Sequence, residues 1–286
     1  MDLSVCIVNL NAKKYLSKCI NSLFKAIGEY SFEIIIVDNN SSDGSKSYIK
    51  SFKNVKLIVN NYNYGYTIAL NQAIRKGVGE NFLILNPDTI LENGSIYSIL
   101  KFLEQEKQIG VIGPKVIDRY GKFQASCRRG LATPFSVFSY FLGFSKLFSQ
   151  NKLFTGYQLN HLSEDLEGEV DGVSGSCMII RKEVIDQIGF FDERFFAYQE
   201  DSDFCIRAKK NGWKVYFQPN SKVLHIGGVG GSNSVPMKAI FEWHRSYYRY
   251  YFKHFSKNYS IIFNYFYVLV MLLKLIFSQF KYLLRN

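Results

Sequence analysis

The sequence is poor in the features that most often announce a function. Only five of its 286 residues are proline and no segment repeats, so collagen-like chains and solenoids of about 20–50-residue units are excluded. The cysteines (Cys6, Cys19, Cys127, Cys177 and Cys205) are odd in number, and none stands in a C-x-x-C pair. Neither a disulfide framework nor a structural zinc site is expected. The dinucleotide fingerprint G-x-G-x-x-G after the first strand is absent, and so is a Walker A loop, so any phosphate must be held by another device. The opening MDLSVCIVNLN has no basic leader before a long apolar run. No signal peptide is expected, and a reducing cytosolic setting is the default. Hydrophobic residues at 47% and charged residues at 21% exclude wholesale disorder. The length suits one large domain, or one domain with an appendage.

Acids are scarcest near the C-terminus. From Lys238 onward stand Lys238, Arg245, Arg249, Lys253, Lys257, Lys274, Lys281 and Arg285 against Glu242 alone, which gives this tail +7 of the chain's formal +11. Arg245, Arg249, Lys253 and Lys257 recur every four residues, which predicts a basic ridge along one side of a helix. Residues 259–273 are uncharged and rich in aromatics. This run is shorter than the roughly 20 residues of a spanning helix. It predicts an in-plane amphipathic helix at anionic headgroups of the inner membrane surface. A helix that packs its aromatics on the main domain, or in a homodimer, is the plainer alternative. Nucleic acid is not an expected partner, because the run is too apolar to face phosphates. A second apolar concentration, Phe135, Phe138, Tyr140, Phe141, Phe144, Leu147 and Phe148, reads either as a core helix or as an acceptor-binding or membrane-facing element.

The first hundred residues alternate. Apolar runs at 3–8, 33–37, 55–59 and 82–85 read as buried strands. Leu16, Cys19, Ile20, Leu23, Phe24 and Ile27 form one helical stripe, Ile68, Ala69, Ala73 and Ile74 a second, and Ile96, Ile99, Leu100 and Leu103 a third. This pattern predicts an α/β fold with a mostly parallel central sheet covered by helices on both faces. Ligands of such folds sit beyond the carboxyl ends of the strands. Polar pairs stand at three of those ends: Asn9 with Asn11, Asp38 with Asn39, and Asn86 with Asp88. A divalent cation on Asp88, Mg²⁺ or Mn²⁺, would be a way to hold a diphosphate.

Residues 189–207 hold five acids and two arginines among aromatics. Carboxylates beside bulky aromatics tend to have raised pKa values, which suits a general base. Glu200, Asp201 and Asp203 fall at the N-terminus of a short helix that Asn211 and Gly212 would stop. Two short strands are expected at 215–217 and 222–224. His225 ends the second, ahead of a glycine loop (Gly227, Gly228, Gly230, Gly231).

In order, the motifs are SVCIVNLN (4–11), EIIIVDNNSSDGS (33–45), NYNYGYTIALNQAI (61–74), FLILNPDT (82–89), VSGSCMIIRKEVIDQIGFFDERFFAYQEDSDFCIRAKKNGW (173–213) and VLHIGG (223–228). Together the chain resembles family 2 glycosyltransferases with the GT-A fold, especially the bacterial rhamnosyltransferase-like branch, across roughly residues 3–230. The resemblance implies a catalytic domain over 1–235 and a membrane-associating or dimer-packing helical tail over 236–286. It implies donor contacts at Asn9, Asn11, Asn63, Gly65, Asn71, Asn86 and Gly175, with Asp38 or Asn39 at the nucleotide base. Asp88 and His225 would ligate the metal and Asp201 would be the catalytic base. Glu200, Asp203 and Trp213 would support the acceptor. The implied reaction is inverting transfer of a sugar, favoured as L-rhamnose from dTDP-rhamnose, to a lipid-linked or cell-surface glycan precursor at the inner face of the cell membrane. A UDP-hexose or UDP-HexNAc donor is the alternative, and a non-catalytic sugar-nucleotide binder is a further one. No Gln-x-x-Arg-Trp motif or set of spans is present, so addition of one or few sugars is expected. A nucleotidyltransferase would need a glycine-rich loop after the first strand, where Asn9-Leu-Asn-Ala-Lys-Lys has none.

Overall fold

The computed structural model describes residues 1–229 and 235–284. Gly230 and Gly231 of the glycine loop and Arg285 of the tail lie outside the described residues.

The strands are β1 (Leu3–Asn9), β2 (Phe32–Asp38), β3 (Val55–Val59), β4 (Asn81–Leu85), β5 (Thr89–Leu91), β6 (Ile109–Ile117), β7 (Arg128–Arg129), β8 (Gly168–Glu169), β9 (Gly172–Val173), β10 (Cys177–Arg181) and β11 (Lys214–His225). The helices are α1 (Lys13–Ala26), α2 (Ser45–Lys50), α3 (Tyr66–Lys76), α4 (Ser95–Gln105), α5 (Pro134–Phe141), α6 (Phe144–Leu147), α7 (Lys152–Thr155), α8 (Lys182–Ile188), α9 (Glu200–Lys210), α10 (Pro236–His254) and α11 (Ile261–Leu283).

The main sheet runs β3-β2-β1-β4-β10-β6-β11-β5, with β8 added on β11. Every residue of β1 is buried, and its side chains alternate between two cores. Val5 and Ile7 join Leu16, Ile20 and Leu23 of α1 and Ile99 of α4. Cys6 and Val8 join Ala69, Ala73 and Ile74 of α3. Burying one such aliphatic side chain contributes about 1.5–3 kcal/mol, so helices on both faces fix β1 in the sheet's interior.

One expectation holds with an addition, and one needs correction. The sheet has the parallel body expected: the β1–β2, β1–β4, β2–β3 and β6–β11 pairs are parallel, while β10 runs antiparallel to β4 and β6, and β5 and β8 antiparallel to β11. The sequence of β10 carries no mark of direction, because a buried strand is apolar throughout whichever way it runs. The two short strands expected at 215–217 and 222–224 are one strand, β11. It stays paired to β6 with a register shift between Gln218 and Lys222, where Pro219 lacks the N–H a ladder needs.

A third core joins the tail to the domain. Tyr247, Tyr250 and Tyr251 of α10 and Tyr267 and Met271 of α11 pack with Val137 of α5, Phe195 and Ile206. Tyr251 and Tyr267 stack with ring centroids 3.8 Å apart. The basic ridge therefore does not stand free. Lys253 bridges Asp192 (2.6 Å) and Asp203 (2.5 Å), and Arg245 pairs with Glu242 at 2.5 Å. Four-residue spacing defines a face, and Asp192 and the buried Asp203 turn Lys253 of that face inward while Lys257 stays exposed. The uncharged run is also only part of its helix: α11 has 23 residues.

Candidate functional site

A cavity of about 460 Å³ opens beyond the carboxyl ends of the parallel strands and is bounded on its far side by α10. One wall is polar. Asn39 follows β2 and is fully engaged. Its amide donates to Asn63 Oδ1 (2.9 Å) and to the Gly65 carbonyl (3.0 Å), and its Oδ1 accepts from Asn60 (3.1 Å) and from the Tyr64 N–H (3.2 Å). Asn39 thereby shapes the 60–65 loop, and both Asn39 and Asn63 line the cavity. Gly65 lies at φ +95°, and a Cβ there would come within 2.7 Å of the Phe196 ring and carbonyl. Only glycine lets the start of α3 approach the 196 segment this closely.

Asn9 and Asp38 are buried one layer below. Asn9 donates to Asp38 Oδ2 (2.8 Å) and Ser41 Oγ (3.0 Å), and Asp38 Oδ1 accepts from the Ser41 N–H (2.9 Å). Asn11 takes a left-handed φ of 54° and accepts from the Ser42 N–H (2.8 Å). These three are not among the residues lining the cavity; they set the loop from which Asn39 projects.

The second cluster lies at the end of β4. His225 Nδ1 faces Gln124 Oε1 at 3.0 Å, while Gln124 Nε2 donates to the His225 carbonyl at 2.7 Å. That pair of contacts puts a hydrogen on Nδ1, and His225 Nε2 lies 3.4 Å from Asp88 Oδ1 and 3.3 Å from the Asn86 amide. Asp88 Oδ2 accepts from the Gly227 N–H at 2.9 Å. A hard carboxylate oxygen and an imidazole nitrogen at this separation could share one Mg²⁺ or Mn²⁺. Among the described residues no group of three such side chains could hold a metal, so the remaining positions would fall to ligands outside the chain.

The third cluster surrounds Asp201, which is only 7% exposed. The chain enters α9 through two consecutive left-handed residues, Tyr198 (φ 67°) and Gln199 (φ 61°). Neither is glycine, and such backbone costs about 1–3 kcal/mol per residue and collects at functional sites. The β7–β9 ribbon brings Arg129 beside the 174–175 turn. Arg129 meets Asp201 Oδ2 at 2.6 Å, and the Gly175 N–H donates to the same oxygen at 2.9 Å. Asp201 Oδ1 accepts from the Ser202 N–H at 2.7 Å. Burial opposes the charge on Arg129, but the Asp201 carboxylate prevails and raises its pKa. Glu200 also lines the cavity, and its buried Oε2 has no partner. Burial first and the neighbouring Asp201 charge second push its carboxyl up to about 8.

Three residues named from sequence lie elsewhere. Asn71 clips α3 to the 191–193 segment, donating to the Phe191 carbonyl (2.8 Å) and Glu193 (3.0 Å) and accepting from the Phe191 N–H (3.2 Å). Asp203 is fully buried and ties α9 to α10. His254 (2.7 Å), Arg207 (2.9 Å) and Lys253 hold it below the usual carboxylate range against its burial. Trp213 leans on Gly110, where a Cβ would meet its ring at 2.9 Å, and donates to Gln187 (2.5 Å). All three hold the scaffold and are not among the lining residues.

The rest of the lining is an aromatic wall, and the expectation for 135–148 of a core helix or an acceptor-binding element reached only Tyr140 of it. Tyr140, Tyr157, Trp243 and Tyr247 line it together with Lys238. Tyr157 and Tyr247 share a hydroxyl hydrogen bond of 2.6 Å, and Gln199 donates to Tyr157 at 3.3 Å. Arg129 was missed too. Its signal was a doubled arginine, Arg128-Arg129, which carries no spacing relation to Asp201.

The chain matches Glycosyl transferase family 2 over residues 4–189. It belongs to that family and is a glycosyltransferase. It is 30% identical to an N-acetylglucosaminyl-diphospho-decaprenol L-rhamnosyltransferase of Mycobacterium tuberculosis over 78% of this chain and 75% of that protein. The rhamnosyltransferase WbbL of Escherichia coli is 23% identical over 84% of this chain and 88% of its own. Among solved structures, GalNAc-T7 with UDP, GalNAc and Mn²⁺ superposes with a TM-score of 0.61 at 19% identity, covering 88% of this chain and 47% of that one. S. aureus TarS with UDP-GlcNAc gives 0.59 at 18%, covering 87% of this chain and 66% of that one. At these identities the superpositions show the GT-A fold.

Proposed function

We propose that the protein is an inverting, metal-dependent glycosyltransferase. On this reading it moves L-rhamnose from dTDP-rhamnose to a lipid-linked glycan precursor at the inner face of the cell membrane. The observation that carries this reading is one cavity with a buried carboxylate, Asp201, on one side and the Asp88–His225 pair on another. The rhamnosyltransferase relatives favour the donor, and the decaprenol-linked substrate in the name of one of them favours the acceptor class.

The nucleotide sugar lies along the polar wall, with Asn39 or the buried Asp38 beneath it at the base. Asp88 and His225 would hold a divalent cation, which when bound supplies positive charge to the departing diphosphate. The acceptor hydroxyl enters along the aromatic wall. Asp201, fixed by Arg129 and the Gly175 N–H, takes the hydroxyl proton. The acceptor oxygen forms a bond to the anomeric carbon as the bond from that carbon to the diphosphate breaks. One displacement inverts the configuration, and no second flanking carboxylate is required, in contrast to most glycosidases. Glu200, whose carboxyl burial and then the Asp201 charge push up to about 8, can donate its proton in a hydrogen bond to a sugar hydroxyl.

The test is transfer itself. The chain, dTDP-rhamnose, Mn²⁺ and an N-acetylglucosaminyl-diphospho-lipid are incubated, and the product's anomeric configuration is read by NMR. An inverted rhamnosyl product supports the reading. Turnover with UDP-hexose or UDP-HexNAc alone would move the donor to the alternative. Binding without turnover of any donor would leave a sugar-nucleotide binder.

A further inference from the structure

We infer that α11 and the α5–α7 segment together form one lipid-seating surface, on which the protein rests in the plane of an anionic bilayer without crossing it. The inference rests on the membrane reading above and adds where the surface is, how it lies and what holds it.

α11 passes as a spanning helix by length and composition, with a mean hydropathy of 2.0 in its most apolar window, only 11% of which is buried. Its 23 residues extend about 34 Å. Yet Phe263, Tyr267, Met271 and Lys274, spaced four, four and three apart, form one face that is committed to the domain. Tyr267 and Met271 are buried in the third core and Phe263 packs against it. Lys274 sits over the rings of Phe141 (4.2 Å) and Trp243 (4.4 Å) and contacts His244 (3.3 Å). These contacts run through the middle of the helix, so α11 cannot thread a bilayer without tearing open that core. Its other face is bare: Ile262 is 78% exposed, and Leu269, Ile276 and Phe280 are exposed as well.

α5 lies directly against α11, with Phe138 facing Tyr267 (ring centroids 5.5 Å apart) and Phe266 (6.4 Å). The α5–α7 segment adds its own exposed apolar side chains, Leu142 and Leu147 (73% exposed) among them.

Charge chooses the occupant. Residues 119–163 contain no acid, and residues 236–284 contain only Glu242, which is buried and paired with Arg245. Lys146, Lys152, Lys257 and Lys281 are exposed beside the apolar side chains. Apolar residues flanked by lysines and free of exposed acids complement acyl chains under anionic headgroups. Because Trp243 carries Lys274 on one side and lines the cavity, the seated surface brings the aromatic wall near the headgroups, where a lipid-linked acceptor presents its sugar.

The test uses the full chain and phosphatidylcholine vesicles with or without phosphatidylglycerol. The expected result is flotation with the anionic vesicles. The variants Ile262→Glu/Leu269→Glu/Ile276→Glu and Leu142→Glu/Leu147→Glu each lower the bound fraction about tenfold, with unchanged melting temperature. Lys257→Cys and Leu284→Cys, read separately, both stay open to an impermeant thiol reagent outside the vesicles; the five native cysteines are buried. Protection of either position would mean a span and overturn the in-plane placement. Failure of the wild type to float, or flotation untouched by the glutamates, would overturn the surface. So would a stable dimer that the same variants dissolve without any vesicle binding. Flotation needs neither donor nor acceptor, so a failed transferase reading and a failed surface are told apart.

Discussion

The two walls of the cavity are built by opposite means. The polar wall comes from strand ends and the turns that follow them: Asn39 and Asn63 line it, and they bond to each other and to the Gly65 backbone behind them. The aromatic wall draws Tyr140, Tyr157, Trp243 and Tyr247 from two distant parts of the chain, and the tail completes it. On the proposed reading the locally made wall takes the nucleotide and the assembled wall takes the acceptor.

The sharpest break in this comparison falls between the walls, at Asp201. Asp201→Asn should lower kcat about 10³-fold and leave the donor dissociation constant within about twofold, read by initial rates and by titration of dTDP. Next comes the clamp. Arg129→Met leaves a buried carboxylate unpaired and should cost about 3–5 kcal/mol in urea unfolding. The double variant Arg129→Met/Asp201→Asn should recover part of that loss; purely additive losses would mean that the two side chains do not depend on each other.

The aromatic wall is probed more gently. Trp243→Ala should raise KM for a lipid-linked acceptor about tenfold with little change in KM for the donor. An equal rise in both would erase the division of labour between the walls. The smallest effect concerns Glu200. Its carboxyl is raised in the folded state, so between the unfolded value of 4.5 and about 8 the native chain binds the extra proton. Stability conferred by that proton is present at low pH and is lost as pH rises through the window. Glu200→Gln should therefore flatten the fall in melting temperature between those limits by a few degrees.

The N-terminal half was legible because buried strands and helical stripes write their periods into the sequence, and strand ends point to ligands. Even there the reading stopped at residue type. Asn9 and Asp38 stand at the right strand ends, yet they bond to each other beneath the site. Asn71 and Trp213 fall inside family motifs but serve packing. Arg129 could not be found, since a two-residue strand, β7, carries it to Asp201. The tail's ridge was visible as a spacing, but its direction depends on Asp192 and Asp203, which the spacing does not mention. The run 259–273 is too short to span, but its helix continues past Lys274, whose ammonium rests on the rings of Phe141 and Trp243.

On the proposed reading a nucleotide diphosphate and a divalent cation meet on the Asp88–His225 pair. The most direct measurement is a thermal-shift panel of dTDP, UDP and GDP, each with and without Mn²⁺, on the wild type and on Asp88→Ala. A ligand that binds only the folded chain raises its melting temperature. dTDP should stabilise the wild type only with Mn²⁺, and Asp88→Ala should abolish the shift. A shift that needs no metal and survives Asp88→Ala, or no shift with any nucleotide, would contradict that reading.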